Sequence, residues 1–257
     1  MNSQSVTSPD GTRIAWTRQG AGPPLVMVHC VAVSRATTPQ PTLPNALARH
    51  FTVYTYDRRG TGESGNTGPY SVEREFEDLG AVMALDPRDP VVYGFSSGAT
   101  LALQAAEAGA PIRSLALLEP PLFADEDPTF TLRVEAQRRI DSDLADAHHW
   151  FDTEVVGVPE DVLAGMPPLS DEGLRNTRTI VHELTFLPGT PAHRFATVET
   201  PTLLMASDHT AQEIRQWAME LEKEMPNAKL RVLAGEWHGV DDATLMQTIW
   251  HHVSNGS

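Results

Sequence analysis

The chain repeats one local pattern: a short apolar run of strand length, then a longer run with helical spacing. PLVMVH (24–29), FTVYTYD (51–57), VVYGF (91–95), SLALLE (114–119), PTLLMA (201–206) and KLRVLAG (229–235) are the strand-length runs. A strand apolar at successive positions has no face to give to water, so it belongs inside a sheet covered on both sides. Helical patterns lie between these runs. In 71–85, Val72, Phe76, Leu79 and Met83 recur at helical spacing, and 99–109, 211–224 and 242–253 also read as helices. Strand–helix alternation of this kind predicts an α/β fold, a doubly wound and mostly parallel sheet. TRIAWTRQ (12–19) alternates and follows the turn signal Pro9-Asp10-Gly11, which predicts an antiparallel edge strand.

The alternation fails between 121 and 195. Residues 133–151 and 170–186 have helical patterns, separated by VGVPEDVLAGMPP, and no strand pattern lies among them. About 75 residues of charged helix make a poor core alone. The expected organisation is a core formed by 1–120 and 196–257, with 121–195 as a helical insertion.

Composition narrows the function. The 257 residues carry 19 basic and 34 acidic side chains, a formal net charge of −15. Such a chain is ill suited to gripping nucleic acid or an anionic membrane by charge. The single cysteine, Cys30, excludes an internal disulfide and a multi-cysteine metal site. The first residues lack the basic-then-apolar order of a secretory signal, and no run of about 18 apolar residues is present. The expectation is a cytoplasmic protein acting on a small molecule.

The chemistry is concentrated at VVYGFSSGATLAL (91–103). Gly94-Phe95-Ser96-Ser97-Gly98 fits G-x-S-x-G between a strand and a helix, the context in which that motif presents a nucleophile. A sharp strand-to-helix turn would force Ser96 into a strained backbone conformation. A β-carbon at Gly94 or Gly98 would crowd the neighbouring chain. The Ser97 amide would then point to where an oxyanion forms, favoured by the helix dipole. The bland alternative is a small-residue turn that merely packs a helix on a strand. A serine nucleophile needs a base. Of the ten histidines, His238 stands in the loop GEWHGVDD between the last predicted strand and the last helix. Strand-end loops are where such folds present catalytic groups.

DGTRIAWTRQGAGPPLVMVH, FTVYTYDRRGTGESG, GFSSG and GEWHG together resemble the α/β-hydrolase superfamily over nearly the whole chain. The resemblance implies the α/β-hydrolase fold, a cap formed by 121–195, a catalytic histidine at His238, and no metal or organic cofactor. It offers two positions for the acid, of which Glu119 is the expected one and Asp208 the alternative. Many members carry it in the loop after the strand matching PTLLMA, where Asp208 stands slightly out of register and Thr210 falls on the usual aspartate position. Haloalkane-dehalogenase-like and zearalenone-lactonase-like members carry it one strand earlier, at Glu119. A carboxylate ending an apolar strand is costly without a partner, and His238 would be one; an arginine of the RRG loop is the alternative. The resemblance also implies that the Val31 N–H is the second oxyanion donor. It departs at Cys30, where most members have glycine; a tolerated turn, a remodelled hole and, last, a reactive thiol are the readings. His29 is expected to hold this loop.

The implied reaction is hydrolysis of a small to medium apolar ester or lactone through an acyl-enzyme. Cys30, Phe95, Trp150 and Phe186 are candidate substrate contacts, although Phe130, Trp150, Phe151, Leu184 and Phe186 fit packing between cap and core equally well. Two other functions fit the same frame. One is a non-hydrolytic cyclase or lyase, which would show little activity on generic esters. The other is a binding protein that releases its ligand unchanged. Serine at position 96 argues against haloalkane dehalogenase or epoxide hydrolase chemistry, which uses an aspartate there.

Overall fold

The computed structural model describes residues 4–123 and 128–255, leaving out the side chains of 128–130 and 255. The Phe130 side chain and residues 124–127 of the expected insertion thus lie outside the described residues. In chain order the first elements are β1 (Gln4–Thr7), β2 (Arg13–Gln19), β3 (Pro24–Val28), α1 (Leu43–Leu47), β4 (Thr52–Tyr56), α2 (Val72–Met83), β5 (Val91–Phe95), α3 (Ser97–Glu107) and β6 (Ser114–Leu118). A helical stretch follows: α4 (Pro128–Ser142), α5 (Leu144–Trp150), a π-helical turn (Phe151–Val156), α6 (Glu160–Gly165), α7 (Asp171–Asn176) and α8 (Ile180–Phe186). The chain then returns through β7 (Thr202–Ser207), α9 (Gln212–Glu224), β8 (Ala228–Leu233), a two-residue hairpin β9 (Gly235–Glu236) and β10 (Gly239–Val240), and α10 (Asp242–Asn255).

The strands form one sheet in the order β1-β2-β4-β3-β5-β6-β7-β8. Pairing is antiparallel from β1 to β4 and parallel from there on. Side chains alternate between two buried clusters with the strand period of two. Val26, Val28, Val92, Leu115, Leu117 and Leu204 fill one face, while Leu25, Met27, Tyr93, Phe95, Leu118 and Met205 fill the other. Burial on both faces explains why the strands read as unbroken apolar runs. TRIAWTRQ is antiparallel but not at the edge, because β1 pairs outside it, Gln4 opposite Trp16. QSVT is short, polar and mostly exposed, so no hydrophobic pattern marks it. VPEDVLAG holds α6, whose residues are not buried and so leave no apolar stripe to read.

Strand order reverses between β3 and β5, because β4 lies on one side of β3 and β5 on the other. The crevice beyond the carboxyl ends of strands at such a switch point is where this class of sheet takes ligands. Two loops meet there, 29–32 after β3 and 96–97 after β5. The helical stretch makes its own small cluster of Ala136, Ile140, Ala147, Phe151, Ile180 and Leu184, which buries Ala32 and packs on Val31. It is therefore seated directly on the loop after β3.

The turn after β5 is tight because two glycines permit it. A β-carbon on Gly98 would lie 2.5 Å from the carbonyl oxygens of both Val28 and His29, and one on Gly94 would lie 2.5 Å from the Ala99 Cα. Those contacts are backbone, which cannot swing aside. Gly98→Ala is expected to cost on the order of 3 kcal/mol, the upper range for overpacking. Urea unfolding checks this, and a loss under about 0.5 kcal/mol would show the turn to be slack.

Candidate active site

Among the described residues, four that are not glycine have positive φ: Ala32 at 53°, Ser96 at 54°, Glu119 at 51° and His238 at 53°. Non-glycine residues pay a steric cost in this region, and such strain collects where function over-determines the backbone. Each of the four follows a strand of the parallel sheet or its terminal hairpin. Ser96, Glu119 and His238 also meet in space. The Ser96 N–H donates to the Leu118 carbonyl at 2.9 Å, so Ser96 and Glu119 extend neighbouring strands side by side. His238 Nδ1 bonds Glu119 Oε2, and the His238 ring lies 4.8 Å from that of Phe95, centroid to centroid.

Glu119 is fully buried. Its carboxylate has three donors: the Ser207 N–H at 2.8 Å, the Thr210 hydroxyl at 3.0 Å and His238 Nδ1. Three donors offset the cost of taking this charge out of water. They also fix the imidazole tautomer, with the hydrogen on Nδ1 and a lone pair on Nε2. Neither arginine of the RRG loop pairs with Glu119: Arg58 pairs with Glu75 and Glu183, Arg59 with Asp78 and Asp10. Asp208 is placed elsewhere. Its side chain is exposed, accepts the Gly235 N–H at 3.0 Å and pairs with His209 at 2.9 Å. The Gly235 amide leads the groups that hold its carboxyl low. Thr210, on the position where other family members carry the aspartate, instead donates to Glu119.

The loop after β3 differs from expectation in two ways. The left-handed residue is Ala32, not Cys30, so a side chain at 30 meets no backbone objection. Cys30 is buried, and burial pushes its thiol up to about 12, which keeps it protonated and inert as a nucleophile. The second difference concerns Val31. Its N–H donates to the Ser97 hydroxyl oxygen at 2.9 Å. The Ser97 amide is the first of α3 and has no acceptor within the helix.

A buried ion cluster stands beside this loop. Arg58 gives Nη1 to Glu183 of α8 at 2.6 Å and Nη2 to Glu75 of α2 at 2.7 Å, and it reaches the His29 carbonyl at 3.3 Å. The arginine therefore ties the helical stretch, the core and the loop after β3 together. Burial pulls the guanidinium down, but the Glu183 and Glu75 charges outweigh it and the net shift is upward. Burial pushes the Glu183 carboxyl up against the opposing Arg58 charge. Burial likewise pushes His29 down to about 4, so it is neutral beside the site. The DRRGTGES loop has its own logic. Asp57 accepts the N–H groups of Arg35 and Glu63 at 2.8 and 3.0 Å, and a β-carbon on Gly62 would strike its carboxylate at 2.4 Å.

The structure brings together Ser96, Ser97, Phe95, Glu119, His238, Cys30 and Val31 of the residues singled out from sequence. It places two others apart. Phe186 is buried in the main core, under Arg58 at 5.6 Å, and its carbonyl accepts from Gln104. Trp150 packs against the cluster of the helical stretch, with Arg139 at 5.3 Å over its ring. Arg58, Glu75, Glu183, Ser207 and Thr210 were not among the expected site residues. Arg58 lay in the RRG loop and Thr210 was marked only as standing on the usual aspartate position; nothing in the local sequence around Glu183 marks it.

Residues 25–245 match the model of the alpha/beta hydrolase family. Among solved structures, an alpha/beta hydrolase from Sphaerobacter thermophilus DSM 20745 is 37% identical, with 97% of this chain and 100% of the other covered at a TM-score of 0.87. An enol-lactonase from Burkholderia xenovorans LB400 is 18% identical over 98% and 100% of the two chains, at a TM-score of 0.72. An esterase from Rhodococcus sp. ECU1013 is 17% identical over 99% of each, at 0.67. The last two share the fold alone. No curated protein matches the sequence. The chain belongs to the alpha/beta hydrolase family.

Proposed function

We propose that the protein is a serine hydrolase that cleaves a small to medium apolar ester or lactone through an acyl-enzyme. The observation that carries the reading is the bond from His238 Nδ1 to the buried Glu119 carboxylate, beside a left-handed Ser96 on the next strand end. His238 Nε2 takes the Ser96 proton as the hydroxyl oxygen attacks the carbonyl carbon. Glu119 stabilises the imidazolium that results. The Ser97 amide, at the N-terminus of α3, holds the oxyanion. His238 then protonates the leaving alcohol, and water, deprotonated by the same imidazole, releases the acid. The esterase and enol-lactonase of like fold support ester and lactone substrates as a class, and the inert Cys30 removes the rival nucleophile.

The test is intact-mass spectrometry after treatment with a fluorophosphonate. Wild type is expected to gain one adduct, with Ser96→Ala and His238→Ala gaining none. An unlabelled wild type that turns over no ester would overturn the reading and favour a cyclase, lyase or binding protein on this frame.

A further inference from the structure

The Val31 amide has one hydrogen, and that hydrogen goes to Ser97 Oγ at 2.9 Å. An oxyanion held by this N–H would stand at about the distance where Ser97 Oγ now stands. The side chain of Ser97 therefore already fills the acceptor's place on the loop amide. A serine hydroxyl can accept one bond and donate another, and its hydrogen turns without any heavy atom moving. We propose that the second donor of the oxyanion hole is the Ser97 hydroxyl, whose oxygen is fixed by the Val31 N–H. The inference rests on the serine-hydrolase reading and deepens it.

Three observations support the assignment. Ser97 is only 3% exposed, so its hydroxyl is shielded from the water that would compete for it. Accepting the Val31 N–H polarises the hydroxyl and makes it a better donor in a low-dielectric site. A second acceptor for the hydroxyl hydrogen is at hand in Glu183: its Oε2 is buried with no hydrogen-bond partner, and Ser97 is among the groups that oppose the rise of its carboxyl. As the tetrahedral intermediate forms, the Ser96 oxygen bonds to carbon, the carbonyl π pair moves to oxygen, and the Ser96 proton passes to His238. The Ser97 hydrogen turns to the new anion, with no heavy atom displaced. Val31 then acts through Ser97 as a positioning residue. The loop after β3 is held for this task at both ends, by Arg58 on the His29 carbonyl and by the cap cluster on Ala32.

The experiment is steady-state kinetics on p-nitrophenyl butyrate for wild type, Ser97→Ala and Ser97→Thr, with fluorophosphonate labelling alongside. Loss of one oxyanion donor costs on the order of 100-fold in kcat. Ser97→Ala is expected to show that loss with KM within about threefold, because the contact forms only in the transition state. Ser97→Thr keeps a hydroxyl and is expected to recover at least a tenth of wild-type kcat, a rescue that a merely structural role would not give. Removing the side chain also frees the Val31 N–H. If that amide is itself the donor, Ser97→Ala keeps or gains kcat, which overturns the proposal; a threonine variant as inactive as the alanine one overturns it too. A labelled wild type with an unimpaired Ser97→Ala sinks this inference alone. A wild type that neither labels nor turns over sinks the serine-hydrolase reading, and the inference with it.

Discussion

Glu119→Gln is expected to lower kcat on an activated ester by about 10³–10⁴-fold, and Asp208→Asn to leave it within about twofold. The first figure follows from what the orienting carboxylate does in a serine triad: it sets the imidazole tautomer and stabilises the imidazolium. Glutamine fails at both. It carries no charge, and its carboxamide has a single acceptor oxygen where the native carboxylate receives the Ser207 N–H, the Thr210 hydroxyl and His238 Nδ1. One amide orientation turns an NH₂ toward both His238 and the Thr210 hydroxyl and reverses the tautomer; the other turns it toward the Ser207 N–H. Either leaves a buried donor unsatisfied, at about 1–3 kcal/mol. Asp208 serves an exposed turn, bonded to Gly235 and His209, so its amide should change little. KM should move much less than kcat for Glu119→Gln, and fluorophosphonate labelling should slow in parallel. Loss of activity only in Asp208→Asn would move the acid to the loop after β7 and rule out Glu119.

How much of this could be read from the chain differs by kind of signal. The parallel core was legible because burial on both faces leaves unbroken apolar runs, and because a tight turn at Gly94 and Gly98 leaves glycines at a fixed spacing. The strand-end places of Ser96 and His238 were legible for the same reason: local pattern marks them. The carboxylate that pairs with His238 was only half legible. Glu119 was marked as a carboxylate ending an apolar strand, but the choice against Asp208 depends on Ser207 and Thr210, which reach Glu119 from about 90 residues further along the chain. The β1 strand was illegible since a short polar edge strand has no core-facing stripe. The resting partner of the Val31 N–H was not legible, because family pattern locates an amide but not its acceptor; Ser97 Oγ takes that hydrogen. Glu183 was invisible for a like reason. Its meaning comes from Arg58, placed opposite it only by folding.

That pairing carries the largest expected effect on stability. Arg58→Met should cost about 3–5 kcal/mol, the penalty for stripping one partner from a buried ion group. Arg58 is almost wholly buried, and so are the two carboxylates it holds, Glu75 and Glu183, each side chain 1% exposed. Methionine matches the arginine stem but leaves both acids facing each other in low dielectric. Tyr70, stacked on His182 and bonded to Glu75, and the neutral His182 supply no counter-charge. The loss should depend on pH with a definite sign. Burial already raises the Glu183 carboxyl against the Arg58 charge, so removing the guanidinium raises it further. A group raised on folding stabilises fully only below its unfolded value, and that stability is lost as pH rises through the folded value. Urea unfolding should therefore find the variant weaker at pH 8 than at pH 5, relative to wild type. Neutralising the acids as well separates lost charge pairing from lost packing. The triple variant Arg58→Met, Glu75→Gln, Glu183→Gln should regain most of the stability and lose the added pH dependence, because a whole buried ion group can be exchanged for neutral side chains at little net cost. A single variant within about 1 kcal/mol of wild type at pH 8 would mean that the cluster is hydrated in solution, and that Arg58 does not fasten the cap to the loop that carries Val31.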